Sequence, residues 1–162
     1  NREKELKRYK NNVKEISNED YLKDRLIEFK KYGVNPFPPQ EQIEIYSIDK
    51  FINEFKELEN NQYHENKINI FGRVIQKRKS SKKLIFYKIE SNNLFLQIMS
   101  NMFKYHDEND FLVINQLVKR GDLIQVNGYP HRTKTGELSI VPYKLEIKTP
   151  CLYNLPKNDG HD

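Results

Sequence analysis

The sequence predicts a mainly β chain of the α+β class, a five-stranded Greek-key barrel with an N-terminal helical extension. Three observations carry this expectation. The apolar residues change from helical to alternating spacing near residue 67. Beyond that point three β-rich runs, a short helical run and two further β-rich runs follow in order. A proline-rich connector, Asn35 to Pro39, separates this body from the helical residues before it, because each proline fixes its own φ and biases its predecessor away from helix.

In residues 1–32, Leu6, Tyr9, Val13 and Ile16 and then Leu22, Leu26 and Phe29 recur at helical spacing, which predicts two helical stretches. Ser17, three residues before Asp20, is placed to start the second, and Gly33 with Asn35-Pro36 to stop it. Ser47 is placed to cap a short amphipathic helix that carries Ile48, Phe51, Ile52, Phe55 and Leu58 on one face, and a polar acidic loop through His64 closes that segment. The runs from Lys67 to Arg78, Lys83 to Glu90 and Asn93 to Ser100 read as an antiparallel meander. A helix around 107–119 with Phe111, Ile114 and either Leu117 or Val118 inward comes next. Two strands, Gly121 to Tyr129 and Glu137 to Ile147, are joined by a loop, Pro130 to Gly136. Three strands, a helix and two strands is the order of an OB-fold, a small barrel whose open face and loops bind oligonucleotides. The expected divisions are 1–38 for the helical extension and connector, 39–66 for the amphipathic helix and loop, 67–149 for the barrel, and 150–162 for the start of a linker.

Composition narrows the function. With 28 Lys and Arg against 23 Asp and Glu, the 162 residues carry a net charge of +5, compatible with an anionic partner. A mean hydropathy of -0.88 and the lack of a long apolar run point to a soluble chain without a membrane span. Cys151 is the single cysteine, so no internal disulfide forms, and a reducing, intracellular setting is expected. His64, His106, His131 and His161 are too scattered for a local zinc motif. The N-terminus lacks a hydrophobic signal core and an initiating Met, and is read as the cut end of a longer chain. No glycine-rich phosphate loop, nucleophile elbow or carboxylate cluster is present, so no catalytic residue and no metal ligand is assigned. Cys151 is expected to pack, and His131 to lie on the surface or at most to contact RNA.

The binding chemistry concentrates in the meander. Alternation in the second run puts Ile85, Tyr87 and Ile89 in the core and Leu84, Phe86 and Lys88 on the other face, where the Phe86 ring offers a base a stacking surface. In the third run Leu94, Leu96 and Ile98 are expected inward and Phe95, Gln97 and Met99 outward, with the Gln97 amide suited to the Watson–Crick edge of an unpaired base. From Arg73 to Lys88 there are seven bases (Arg73, Lys77, Arg78, Lys79, Lys82, Lys83, Lys88) and no acid, whereas 40–66 holds seven acids and two bases. A phosphate-tracking groove requires such a one-signed stretch. Arg132 and Lys134 stand just before Glu137, whose carboxylate is able either to accept from a base amino or imino group or to pair with a neighbouring lysine.

The segments RLIEFKKYGVNPFP (Arg25 to Pro38), FGRVIQKR, LIFYKI, FLQIMS, KRGDLIQVNGYPHRTKTGELSIVP and TPCLYNLP, in this order, closely resemble the N-terminal anticodon-binding part of lysyl-tRNA synthetases. TKTGELSI and PCLYNLP are the specific pieces, since the strand motifs alone would equally resemble the aspartyl and asparaginyl enzymes. The resemblance implies that Phe86 stacks on the central uridine of the lysine anticodon, that Gln97 hydrogen-bonds the same uridine, that Arg78 contacts the anticodon and that Glu137 contacts a flanking base. It gives Arg73 a structural or RNA-adjacent role. Lys79, Lys82, Lys83, Lys88, Arg132 and Lys134 are expected to supply positive charge for the RNA. Lys88 stands where that family usually has an acid, and Tyr153 where it often has histidine.

The resemblance further implies a parent enzyme that ligates lysine to tRNA(Lys) with ATP and Mg2+, cytoplasmic with an organellar form as the alternative, and a homodimer through a class II catalytic domain. The three motifs of that domain have no counterpart in these residues, so this part by itself is expected to be non-catalytic and without cofactor. Its partner is the anticodon stem-loop of tRNA(Lys), with a modest contribution from residues 1–32, whose ten bases and seven acids leave +3. Two other readings stay open: a free-standing OB protein for single strands, and a protein-interaction module docking through the helix that carries Phe51 and Phe55.

Overall fold

The computed structural model describes residues 2–4, 18–38, 43–153 and 155. The first expected helical stretch, with Leu6, Tyr9, Val13 and Ile16, lies outside the described residues, as do Ser17, Pro39 and the tail from 156. Helix α1 spans Asn18–Lys31, with Glu19 and Asp20 in its first turn and Lys30 and Lys31 in its last, each charge opposing the helix dipole. Gly33, at φ +66°, ends it as the sequence predicts. Gly33 N donates to Lys30 O and Val34 N to Phe29 O, the paired bonds of a Schellman motif. Its inward face differs from the expected one. Phe29 is buried, but Leu26 is exposed and the guanidinium of Arg25 takes the core-facing position instead.

Helix α2, Ile48–Phe55, starts where expected, with Ser47 Oγ accepting from Lys50 N at 3.0 Å. Ile48, Phe51 and Phe55 are buried and belong to the same apolar core as the barrel. This overturns the reading of α2 as a docking helix, since the rings such a partner would grip are already covered.

The barrel strands are β1 (Ile68–Ser81), β2 (Leu84–Ser91), β3 (Leu94–Asn101), β4 (Leu123–Arg132) and β5 (Leu138–Thr149). They close in the order β1-β2-β3-β5-β4. All pairs are antiparallel except β3 with β5, a short parallel contact through Gln97 with Ser139 and Ile98 with Ile140. Ile70, Val74, Tyr87, Ile89, Ile98, Ile124, Val126 and Ile140 fill the interior. Helix α3, Glu108–Leu117, is capped by Asp107 and closes one end with Phe111, Ile114 and Leu117. Val118 is buried as well, as its C-cap, so Leu117 and Val118 both point inward. Asn115 is buried there, and its side chain donates to Phe111 O and accepts from the Tyr87 hydroxyl.

Three expectations change. Leu94 begins β3 half open to solvent at 36% exposure, because only Leu96 and Ile98 reach the closed part of the barrel. The loop expected from Pro130 to Gly136 is a turn of 133–136, since β4 continues through Arg132 against Leu138 of β5. His131 is therefore not on the surface. It pairs with Ser139, stacks on Tyr63 at 3.8 Å between ring centroids, and is buried.

One buried ion pair fastens the extension to the barrel. Arg25 Nη1 and Nη2 each donate to an Asp122 carboxylate oxygen at 2.6 Å, and the guanidinium also donates to Leu117 O and Cys151 O. Removing one partner of such a pair strands the other charge without solvent. Arg25→Met is expected to lower the unfolding free energy by about 3–5 kcal/mol in a urea titration.

Candidate nucleic-acid interface

The site is assembled by register. In β1 a bulge falls between Val74 and Gln76, leaving Ile75 as the extra residue. Before it, even-numbered Ile70 and Val74 point inward. After it the phase inverts, because one additional residue exchanges the two faces of a strand. Arg78 then lies beside Phe86, Gln76 beside Lys88, and the odd-numbered Lys77 and Lys79 fall on the side of Tyr87 and Ile85.

Across β2 and β3 the same rows continue. Phe86 pairs with Met99, and Lys88 with Gln97, which pairs in turn with Ser139 of β5. One outer face thus carries the row Arg78–Phe86–Met99 beside the row Gln76–Lys88–Gln97–Ser139. A hollow of about 400 Å³ opens over them, lined by Gln76, Arg78, Phe86, Lys88, Phe95, Gln97 and Glu137.

The chemistry of the hollow follows from its walls. Phe86 is half-buried, and the Arg78 guanidinium lies over its ring, 4.5 Å from the centroid, as a cation–π contact. Lys88 Nζ stands 4.7 Å from the ring of Phe95, which is 50% exposed at the rim. Gln97 Nε2 donates to Ser139 Oγ at 2.9 Å. Among the described residues its Oε1 has no partner, so an acceptor and a remaining N–H are available to a ligand. Glu137 is exposed, and its backbone is held by the turn: its N–H donates to Thr133 Oγ1 and its carbonyl accepts from Thr133 N. Two cations, two rings, two amides and one carboxylate therefore converge, which suits an unpaired base with flanking phosphates.

Other residues of the expected site lie elsewhere. Lys79 and Lys82 border a second hollow on the other side of the β1–β2 hairpin, facing α3. Lys83 stands over the exposed ring of Phe103, 5.5 Å from its centroid. Arg73 is exposed and donates to Gly121 O at 2.8 Å, tying β1 to the turn before β4. Arg132 is directed inward: Nε donates to Leu58 O, Nη2 to Lys56 O and Nη1 to Gly136 O, so its donors cap the end of α2 and the β4–β5 turn. Lys134 is exposed on that turn. Of the charged residues expected in one groove, Arg78, Lys88 and Glu137 meet around Phe86 and Gln97, and the others are distributed around the barrel.

Gln76 and Phe95 line the hollow, and the buried Ser139 holds Gln97 from behind, without any of the three having been assigned a role from sequence. Phe95 is legible by alternation. Gln76 is hidden by the bulge, and Ser139 by a parallel contact between strands distant in sequence.

Lys77 shows how strongly the bulge diverts the basic run. Its Nζ donates to Asn115 O and Val118 O at the end of α3. Burial, with Lys119 adding to it, draws its pKa from 10.5 down to about 8. Between those values the unfolded chain binds more protons at this site than the folded one, so folding is favoured as pH rises through that window. The unfolding free energy of the chain relative to its Lys77→Met variant is therefore expected to increase between pH 7.5 and pH 10, measured by denaturant titration at several pH values.

The model of OB-fold nucleic acid binding domains of the tRNA-anticodon type matches residues 68–148, half of the 162 residues. The chain is 31% identical over 152 residues to a probable cytoplasmic lysine–tRNA ligase of Enterocytozoon bieneusi, covering 90% of this chain and 28% of that protein. It is 30% identical over 148 residues to the corresponding protein of Vairimorpha ceranae, with 90% and 27% covered. It is 30% identical over 145 residues to a lysine–tRNA ligase of Wolinella succinogenes, with 85% and 28% covered. The chain thus spans little more than a quarter of the length of these relatives. Among the described residues, no helix is long and apolar enough to cross a membrane. A closed five-stranded barrel and the matched model agree: the chain belongs to the tRNA-anticodon family of OB-fold nucleic acid binding domains and is homologous to lysine–tRNA ligases.

Proposed function

We propose that this chain is the anticodon-binding module of a lysine–tRNA ligase and that its ligand is the anticodon stem-loop of tRNA(Lys). The observation that carries the reading is the adjacency of the Arg78–Phe86 cation–π pair and the Gln97 amide in one hollow of the barrel. The central uridine stacks on Phe86, while Gln97 accepts from its N3–H and donates to a carbonyl oxygen. Arg78 and Lys88 neutralise the neighbouring phosphates, and Glu137 receives the amino or imino hydrogen of a flanking base. The exposed lysines outside the hollow add to the attraction that guides RNA toward it.

Within the parent this module raises affinity and selects the tRNA, while activation of lysine and its transfer to tRNA proceed elsewhere. ATP and Mg2+ belong to that other part. Among the described residues, no three His, Cys, Asp or Glu side chains are grouped to hold a metal ion, and none is assigned a chemical step. Homodimerisation is placed in the catalytic part as well. A cytoplasmic location rests on the names of the Enterocytozoon and Vairimorpha relatives.

Titrating fluorescently labelled stem-loops tests the reading. Phe86→Ala is expected to weaken binding of the lysine stem-loop by about 1–3 kcal/mol. The affinity is expected to fall with salt on a log-log plot, as counterion release requires. Equal affinity for lysine and non-lysine stem-loops would instead make this a barrel that takes single strands without reading them.

A further inference from the structure

We infer that Ser139 is a specificity-determining positioning residue: it locks the hand of the Gln97 amide, so that the hollow accepts uracil and rejects cytosine at the stacked position. This deepens the proposed function and rests on it.

A glutamine amide is ambiguous by nature. It carries one acceptor and two donor hydrogens, and a half-turn about its last torsion exchanges them at little cost. Uracil and cytosine exploit that ambiguity in opposite senses. Uracil offers an acceptor at O4 beside a donor at N3, whereas cytosine offers a donor at N4 beside an acceptor at N3. A base held in one plane by stacking therefore requires one hand of the amide for uracil and the other for cytosine. A glutamine free to turn serves both and separates them poorly.

In this chain the amide is not free to turn. Gln97 Nε2 donates to Ser139 Oγ at 2.9 Å, and Ser139 Oγ in turn donates to Glu137 O at 3.1 Å. A serine hydroxyl has a single hydrogen. With that hydrogen directed at the Glu137 carbonyl, Oγ faces Gln97 as an acceptor, and the half-turn that would bring Oε1 against it sets two lone pairs together. Ser139 is fully buried, so no water takes over either bond without moving the strand.

The lock is itself held from both sides. Ser139 sits where β3 and β5 meet in parallel and also pairs with His131 of β4. The Glu137 carbonyl it addresses is fixed by Thr133 N at 2.9 Å, within the turn closed by Gly136 N to Thr133 O. The β4–β5 turn thereby reaches the base through two hydrogen bonds, although Ser139 touches no ligand.

The test compares lysine anticodon stem-loops carrying uridine or cytidine at the central position, titrated by fluorescence anisotropy with the 162-residue chain and its variants. The unmodified chain is expected to favour uridine by about tenfold or more, the discrimination one bidentate edge contact provides. Ser139→Ala is expected to bring that ratio to about threefold or less, chiefly by tightening the cytidine complex, with the uridine complex weakened by no more than about threefold. Ser139→Thr, which keeps the hydroxyl, is expected to restore the ratio. Ser139→Cys, nearly the same size, stands in for Ala if thermal melting finds the Ala variant unfolded. Gln97→Ala separates the two levels of the inference. If Gln97→Ala abolishes discrimination while Ser139→Ala and Ser139→Cys keep it, the lock is wrong and Gln97 still reads the base. If Gln97→Ala retains the full ratio, the proposed reading by Gln97 fails and the lock with it. A purely structural role for Ser139 would weaken both complexes equally and leave the ratio unchanged, which also overturns the inference.

Discussion

The buried Arg25–Asp122 pair is the interaction on which the arrangement of the chain depends. Each guanidinium Nη meets one carboxylate oxygen at 2.6 Å, the bidentate geometry in which such a pair best offsets its desolvation. The surrounding bonds connect four parts of the chain. Arg25 belongs to α1, and it reaches the Leu117 carbonyl at the end of α3 and the Cys151 carbonyl beyond β5. Asp122 precedes β4 and accepts from the backbone N–H of Lys119 and of Cys151. An uncompensated charge there has no water to turn to, so helix, barrel end and C-terminal segment are held in one relation or none.

That fixed end matters because the barrel has to be closed and in register for its outer face to carry chemistry. Helix α3 plugs the barrel with Phe111 and Leu117, and Lys77 donates to its last carbonyls from β1. Lys77 can do so because the bulge at Ile75 has inverted the strand. The same inversion turns Arg78 toward Phe86. A single extra residue in β1 therefore divides a basic run into charges that brace the fold and charges that face the hollow. Net charge alone says nothing of this division, since both groups contribute equally to the sum.

Much of the architecture was readable from local signals. Ser47 and Gly33 act on backbone groups within a few residues of themselves, and the helix ends they imply are found where expected. Alternation placed Ile85, Tyr87 and Ile89 inward and Phe86 outward, because a two-residue period leaves a strand only two choices. Where a residue's role depends on distant parts of the chain, the sequence was silent or misleading. His131 is covered by Tyr63, and Arg132 donates to the carbonyls of Lys56 and Leu58 just past the end of α2, more than seventy residues earlier. Leu26 yields its inward position to Arg25 because Asp122 waits there, a partner 97 residues away.

By itself, then, the sequence determined the order and type of the elements, the helix ends at Ser47 and Gly33, the inward and outward faces of β2 and the candidacy of Phe86 and Gln97, since each rests on hydrogen bonds or side-chain periods within a few residues. Only the tertiary structure decided which cations stand beside Phe86, that Ser139 holds Gln97, and that a buried ion pair joins the extension to the barrel. Those outcomes require the closure of β3 on β5 and the slip in β1, and closure and register are properties of paired strands that no single segment possesses.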